Sequence, residues 1–319
     1  MPDPTPANAP TRPTRADWQA RMVEIGKMHG FFERLGADHH ALYVQEGNTL
    51  LVTFDEVARV IDKGEDALPV GFEAVKKREW SMLSILAEGR SWFRDPGLYR
   101  FFDKLVDEGF FDSFDKVIFL GAGPMCGHAA AAFSVTAPGA KVLALSPAAT
   151  LDRAAAPFEL RFRAAWRKTF TDRYGYAPDM VEGASQAFIV YDPLEVLDAA
   201  HAALFRAKTT QRLRFRGGGA DILSLLEPHR NLDRMLKATA NNRMTPLRFA
   251  QITRRLRQSN RRYLLSLLAR AEERGGLKLA AIVARRGLDA TGAPHFARRL
   301  SAIEAKMTGA RDQVAVAGE

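Results

Sequence analysis

The chain has 319 residues, of which 47% are hydrophobic and 26% charged, a composition that supports a packed core and excludes a disordered polyelectrolyte. No apolar run approaches the roughly 18 residues of a membrane-spanning helix, and the single cysteine, Cys126, excludes an intramolecular disulfide framework and a Cys-based zinc cluster. The net charge of +9 is uneven, because residues 230–319 carry 19 Lys and Arg against 7 Asp and Glu, and the rest 27 against 30. We therefore expect a cytoplasmic globular protein with a basic C-terminal third.

The two ends of the chain lack the pattern of a folded element. Five prolines fall within the first fourteen residues, so we predict a disordered, Pro-rich arm over residues 1–18 that has no secretory signal. Residues 308–319 show no periodicity and are predicted to form a mobile tail.

Between these ends, short strand-like runs alternate with helical patterns. Strands are predicted at residues 50–54, 80–86, 116–120, 141–145, 187–191 and 211–215, and helices at 95–109, 127–135, 158–170 and 195–205. Three of the runs are continuously apolar, as in strands buried on both faces of a parallel sheet. The alternation predicts an α/β domain over residues 19–229 with a doubly wound, mostly parallel sheet.

One glycine-rich turn follows the strand at residues 116–120 and admits two interpretations. The first is a dinucleotide-binding loop that uses Gly121, Gly123 and Gly127 to approach a phosphate. Cys126 occupies the place of the third glycine of the usual motif, and the next strand ends without an acid to bind ribose. Under this interpretation the protein is a nucleotide-dependent enzyme.

The second interpretation is a nucleophile elbow, a strained strand-to-helix turn that presents a nucleophile above the sheet. Two predicted strands precede this turn, and a later strand ends at Asp192. This is the chain order nucleophile, acid, histidine of α/β-hydrolases.

Several motifs resemble those of alphaproteobacterial α/β-hydrolase-like proteins, which often carry Ser-Met-Gly-Gly at the elbow and are in part labelled phosphoadenosine phosphosulfate reductases. The motifs are the strand at 50–54 with Asp55, Trp92-Phe93-Arg94-Asp95-Pro96, the elbow with its Ala-rich helix, residues 144–152, and Val190-Tyr191-Asp192-Pro193. The resemblance covers about residues 50–226 and implies an α/β-hydrolase-like fold. Because residues 127–319 contain no cysteine, the reductase activity is not expected.

The chain departs from this family where the chemistry is expected. Either Pro124 or Met125 falls at the nucleophile position, and neither side chain can attack a carbonyl. The loop after the last strand is glycine-rich, and the nearest histidine there is His229. Asp192 alone is retained, so the elbow is predicted to be degenerate.

Two other residues are candidates for an unconventional site. Cys126 lies near a helix N-terminus, which favours a thiolate, and His128 follows it closely. A hydrolase that uses Cys126 therefore remains an alternative. His39 and His40 lack further ligands at a readable spacing and are expected to be surface imidazoles, so no metal site is predicted.

The C-terminal third is predicted to be a basic helical extension over residues 230–307. One amphipathic helix is expected from Thr245 to the glycines at 275 and 276, and shorter ones follow. Its outer face carries a cluster that suits an anionic partner such as nucleic acid, a lipid surface or an acidic protein: Arg254, Arg255, Arg257, Arg261 and Arg262. The sequence thus predicts a degenerate α/β-hydrolase-like protein with a non-catalytic binding or accessory role and no cofactor.

Overall fold

The computed structural model of the chain describes residues 12–64, 67–227 and 230–316, with side chains to residue 308. Its centre is one eight-stranded sheet with the strand order β1-β2-β4-β3-β5-β6-β7-β8. Strand β2 pairs antiparallel with β1 and β4, and the other neighbours pair in parallel. The strands are β1 Gly30–Leu35, β2 His39–Val44, β3 Gly47–Glu56, β4 Trp80–Ala87, β5 Lys116–Ala122, β6 Lys141–Leu145, β7 Gln186–Tyr191 and β8 Thr210–Arg214.

Thirteen α-helices lie within the described residues. They are α1 Arg15–His29, α2 Val57–Ile61, α3 Phe72–Arg78, α4 Pro96–Asp107, α5 Gly123–Phe133, α6 Ala177–Met180, α7 Val196–Leu204, α8 Leu223–Leu226, α9 Asn231–Ala240, α10 Pro246–Ser259, α11 Arg261–Glu273, α12 Leu277–Thr291 and α13 Pro294–Val316. None of these helices is long and apolar enough to cross a membrane.

Helices cover both faces of the sheet, so two apolar cores form. Helices α4, α5 and α7 bury their apolar sides on one face, and α1, α3 and α9 pack on the other. Because β5, β6 and β7 are buried on both faces, they read as continuous apolar runs in the sequence. The predicted doubly wound, mostly parallel α/β sheet is confirmed, and helices follow it at the C-terminal end.

The predicted ends differ from the structure. Helix α1 begins at Arg15 with Thr14 as its N-cap, and the buried Trp18 donates its indole N–H to the carbonyl of Ala67 at 3.1 Å. The predicted arm is therefore wrong for residues 14–18, while residues 1–11 lie outside the described part. At the other end α13 continues to Val316, past the predicted boundary at 307.

Three further elements differ. Residues 158–170 form no α-helix but only a short 3-10 turn, Arg163–Arg167. The predicted long C-terminal helix is two helices, because Asn260 ends α10 and caps α11 through its side chain. Helix α9 packs on the sheet beside α3, so residues 231–240 belong to the layer that flanks the sheet rather than to the extension.

Candidate functional site

The glycine-rich turn joins β5 to α5 at the carboxyl edge of the parallel strands. A Cβ atom on Gly121 would lie 1.9 Å from the carbonyl oxygen of Cys126, and one on Gly127 would lie 3.0 Å from the Cα of Pro147. These two glycines therefore let α5 pack closely against its own strand and against the chain that follows β6. Both of these contacts are internal to the fold.

The apex of the turn is Gly123, whose φ of +84° lies in the left-handed region. A nucleophile elbow holds its nucleophile at such a strained position, and a Cβ on Gly123 would meet no atom within 4 Å. The predicted apex at Pro124 or Met125 is therefore wrong by one or two residues. Proline cannot take this place because its ring fixes φ near −65°, and both residues lie in the first turn of α5.

The same turn changes the groups that bind an oxyanion in this kind of site. In an elbow, one donor is the backbone N–H of the residue after the nucleophile and the other comes from a loop after an earlier strand. Here the residue after the apex is Pro124, which has no N–H. The counterpart of that loop here follows β3, where the N–H of Glu56 donates to the carboxylate of Asp55 at 2.9 Å.

Cys126 lies inside the fold, with 1% of its surface exposed. Burial raises the pKa of its thiol well above the ordinary value, so the protonated form is favoured. It packs in the core, where the charges of Arg59, Asp55 and Glu56 also act on the pKa of its thiol. An activated cysteine requires the opposite, a lowered pKa and access to substrate.

His128 is also buried, between the rings of Trp92 and Phe170. Burial lowers its pKa to about 4, so the ring is neutral near pH 7. Its Nδ1 lies 3.2 Å from the carbonyl oxygen of Ala148, to which it donates, and Nε2 has no partner among the described residues. His128 thus packs as an aromatic residue with one hydrogen bond.

Asp192 follows β7, and its fully buried carboxylate is surrounded by donors. Oδ1 accepts the N–H of Leu194 at 2.9 Å, and Oδ2 accepts those of Gly217 and Gly219 at 3.1 and 2.9 Å. Arg270 of α11 adds a fourth contact at 3.3 Å. The acid therefore ties the loop after β8 and α11 to the sheet, and His229 lies outside the described residues.

Residues 151–176 lie over the elbow. Phe162 and Phe170 pack edge-on against Trp92 with ring centroids 5.0 and 5.9 Å apart. The guanidinium of Arg94 reaches from the loop after β4 to the carbonyl of Thr169 at 3.0 Å and also pairs with Asp172. Aromatic side chains thus cover the part of the elbow around Trp92 and Met125, whereas Gly123 and Pro124 stay partly exposed.

A buried polar network, missed by the sequence analysis, holds this covering segment to α7. His201 accepts the N–H of Ala149 at Nδ1 and donates from Nε2 to Glu159 at 2.9 Å. Arg161 bridges Glu159 and Asp198 with contacts of 2.7 Å. Although burial alone would raise it, hydrogen bonds from His201 and Arg161 lower the pKa of Glu159 to about 2.

The histidines at 39 and 40 do not lie on the surface. Both are buried in β2, where His39 bonds Ser91 at 2.7 Å and His40 bonds Glu88 at 3.1 Å. The expectation of surface imidazoles is therefore wrong, because β1 and the segment around Trp18 cover this strand. The described residues contain no group of three or more His, Cys, Asp or Glu side chains suited to a metal.

The five predicted anion-binding arginines divide into two sets. Arg254, Arg255 and Arg261 are exposed and form no ion pair with a described residue. Arg257 instead donates to the carbonyl of Ala250 at 3.1 Å, and Arg262 bonds Ser224 and lies 3.6 Å from Asp221. Three of the five side chains are therefore available to bind an anion.

The sheet order, the antiparallel second strand, the elbow after β5 and the acid after β7 are those of α/β-hydrolases. The chain has an α/β-hydrolase-like fold. No protein-family model matches it, and neither does any curated protein sequence.

Several solved structures with this fold are similar at low identity. An esterase from Pyrobaculum calidifontis is 16% identical over 72% of this chain and 91% of its own, with a TM-score of 0.41. Carboxyl esterase 2 from Tuber melanosporum is 12% identical over 67% and 84%, with a TM-score of 0.44. The capsule O-acetyltransferase of Neisseria meningitidis serogroup A is 11% identical over 63% and 93%, with a TM-score of 0.41.

Proposed function

We propose that this protein is a degenerate α/β-hydrolase that uses the fold for a non-catalytic binding or accessory role. The observation that carries the proposal is the pair Gly123-Pro124 at the elbow. The first residue supplies no nucleophile at the strained apex, and the second supplies no N–H for an oxyanion. This dipeptide therefore lacks both the nucleophile and the first oxyanion donor of an acyl-transfer site.

The expected loss of catalytic rate follows from the effect of removing the same groups in known hydrolases. Removing the nucleophile or the base of a triad lowers the rate by roughly 10⁴- to 10⁶-fold, and removing one oxyanion donor by about 10²- to 10³-fold. The carboxylate that would orient a histidine is instead bonded to Gly217, Gly219 and Arg270. We therefore expect ester hydrolysis no faster than the background in buffer.

The contacts of the turn do not favour the alternatives. A hydrolase that uses Cys126 would need an exposed thiolate, whereas this thiol is buried and its pKa is raised. A nucleotide at the loop would need Gly121 and Gly127 to face a ligand, whereas both are in close contact with the protein.

The binding role that we propose uses the basic C-terminal helices. Arg254, Arg255 and Arg261 present free guanidinium groups, which suit phosphate or carboxylate groups of an anionic partner. Membership of the alphaproteobacterial α/β-hydrolase-like group and a cytoplasmic location belong to the same proposal.

Hydrolysis of p-nitrophenyl acetate and butyrate tests the absence of catalysis. The wild type, Cys126→Ala and His128→Phe should give equal rates, all at the buffer level. Cys126→Ala removes the one thiol, and His128→Phe keeps an aromatic ring between Trp92 and Phe170. Turnover above background that either variant abolishes would overturn the proposal in favour of an unconventional active site.

A further inference from the structure

A groove lies at the opposite edge of the sheet from the elbow, where the parallel strands begin. Its floor is formed by Thr49, Trp80 and Ala240, and it encloses about 620 Å³. Six cationic side chains line it: Lys77, Arg78, Lys116, Arg230, Arg234 and Lys237. We call these six residues and the floor the basic groove.

One wall of the basic groove is a face of α9. Arg234 and Lys237 are three residues apart and lie in one row along the helix, and Arg230, the residue with a positive φ just before α9, lies at its N-terminal end. At a rise of about 1.5 Å per residue, Arg234 and Lys237 are about 4.5 Å apart along the helix axis. The buried side of α9, with Met235 and Leu236, fixes the row by packing on the sheet.

Few anions neutralise this row. Asp233 is the one acidic residue among those that line the groove, and it pairs with Arg78 and, at 3.6 Å, with Lys77. The side chains of Lys116, Arg230, Arg234 and Lys237 are exposed and form no ion pair with any residue in the described ranges. The groove therefore carries unbalanced positive charge.

The charge continues beyond the groove. A second depression of about 430 Å³ shares Arg234, Lys237 and Asn241 with it and adds Arg243 and Arg248 at the turn into α10. Both added arginines are exposed and also lack an ion pair with the described residues. The cations thus follow a path along α9 rather than converge on a point.

We propose that the basic groove and this continuation bind single-stranded nucleic acid through its backbone phosphates. A concave path lined on both sides by cations is the arrangement that tracks a single strand. The cations are exposed and spread out, unlike a compact pocket for one phosphate. None of the lining residues is a large exposed hydrophobic side chain that could enter a lipid surface.

The contact we propose is electrostatic and independent of base sequence. The guanidinium of Arg78 lies 5.2 Å from the ring centroid of half-buried Trp80, so one face of that ring is already covered. The salt dependence of nucleic-acid binding is therefore determined by six unpaired cations: Lys116, Arg230, Arg234, Lys237, Arg243 and Arg248. Each neutralised phosphate contributes about −0.7 to the slope of log K against log salt, which gives a total near −4.

Fluorescence anisotropy of a labelled oligouridylate tests this proposal on the full chain. Between about 50 and about 200 mM salt the affinity should fall about 300-fold. The variant Lys116→Ala/Arg234→Ala/Lys237→Ala should bind at least about 10-fold more weakly at low salt, with its slope reduced to about −2. Circular dichroism and the melting temperature of each variant show whether it is folded.

A matched variant, Arg100→Ala/Lys208→Ala/Arg298→Ala, removes the same charge from exposed positions that line neither depression. We expect it to bind the oligonucleotide within about twofold of the wild type. An equal loss of affinity in the two triple variants would overturn the proposal, and so would the absence of binding. Tighter binding to anionic vesicles or to an acidic peptide than to the oligonucleotide would also overturn it. Its failure would leave the assignment of a non-catalytic elbow untouched, since the groove and the elbow lie at opposite edges of the sheet.

Discussion

Replacing Asp192 by Asn tests whether this retained acid has a structural role. The amide can keep an acceptor toward Gly217, Gly219 and Arg270 only if its NH₂ group faces the N–H of Leu194. One buried N–H without a partner destabilises a fold by about 1–3 kcal/mol. Loss of the charge opposite Arg270 adds about 1 kcal/mol, so we expect a total near 2–4 kcal/mol.

Urea unfolding measures this loss directly, and the melting temperature should fall by roughly 3–6 °C. Asp192→Ala should destabilise the protein more, because it leaves three backbone N–H groups without an acceptor. The control is Glu195→Gln, which weakens a partly exposed contact to the same Arg270 and should change stability by less than about 1 kcal/mol. A free energy of unfolding for Asp192→Asn within about 0.5 kcal/mol of wild type would refute the structural role.

Three further outcomes follow from the site. Gly123→Ser should fold despite about 1–2 kcal/mol of backbone strain at its positive φ, since its side chain meets open space. Assays with p-nitrophenyl esters should still detect no hydrolysis, because Pro124 and the missing histidine remain. Gly121→Ala should lower the free energy of unfolding in urea by more than about 3 kcal/mol, because its Cβ would overlap the carbonyl of Cys126. The pKa of buried His128 is about 4, below its ordinary value, so the fold loses stability as pH falls from about 6.5 toward 4. The slope of the free energy of unfolding against pH across that range should be smaller in His128→Phe, by up to about 1.4 kcal/mol per pH unit.

The sequence predicts the parallel core of the fold well. The runs at 116–120, 141–145 and 187–191 lie in β5, β6 and β7, because burial on both faces leaves a plain apolar signature. The hairpin of β1 and β2 was missed. Its residues include Arg34 and two histidines, whose hydrogen bonds form only in the folded hairpin and sheet.

The position of the elbow was predicted, but its apex was not. Spacing alone allows Pro124 or Met125, whereas the backbone conformation selects Gly123, the residue that takes a positive φ most readily. The glycine at 123, followed by a proline that cannot occupy a left-handed position, was a signal that could have identified the apex.

The roles of the buried polar residues could not be predicted from the sequence. His201 is 42 residues from Glu159 along the chain, and only folding brings it to Glu159 and the neighbouring Arg161. The same holds for Asp192, whose partners come from the loop after β8 and from α11. Their interactions depend on tertiary contacts that no local pattern encodes.

Intact-mass spectrometry of the native protein treated with a fluorophosphonate tests the central claim most directly, because it detects any activated nucleophile at the elbow. We predict no adduct after prolonged incubation, while a serine esterase treated in parallel is labelled completely. A stoichiometric adduct that peptide mapping places within residues 121–128 would contradict the account.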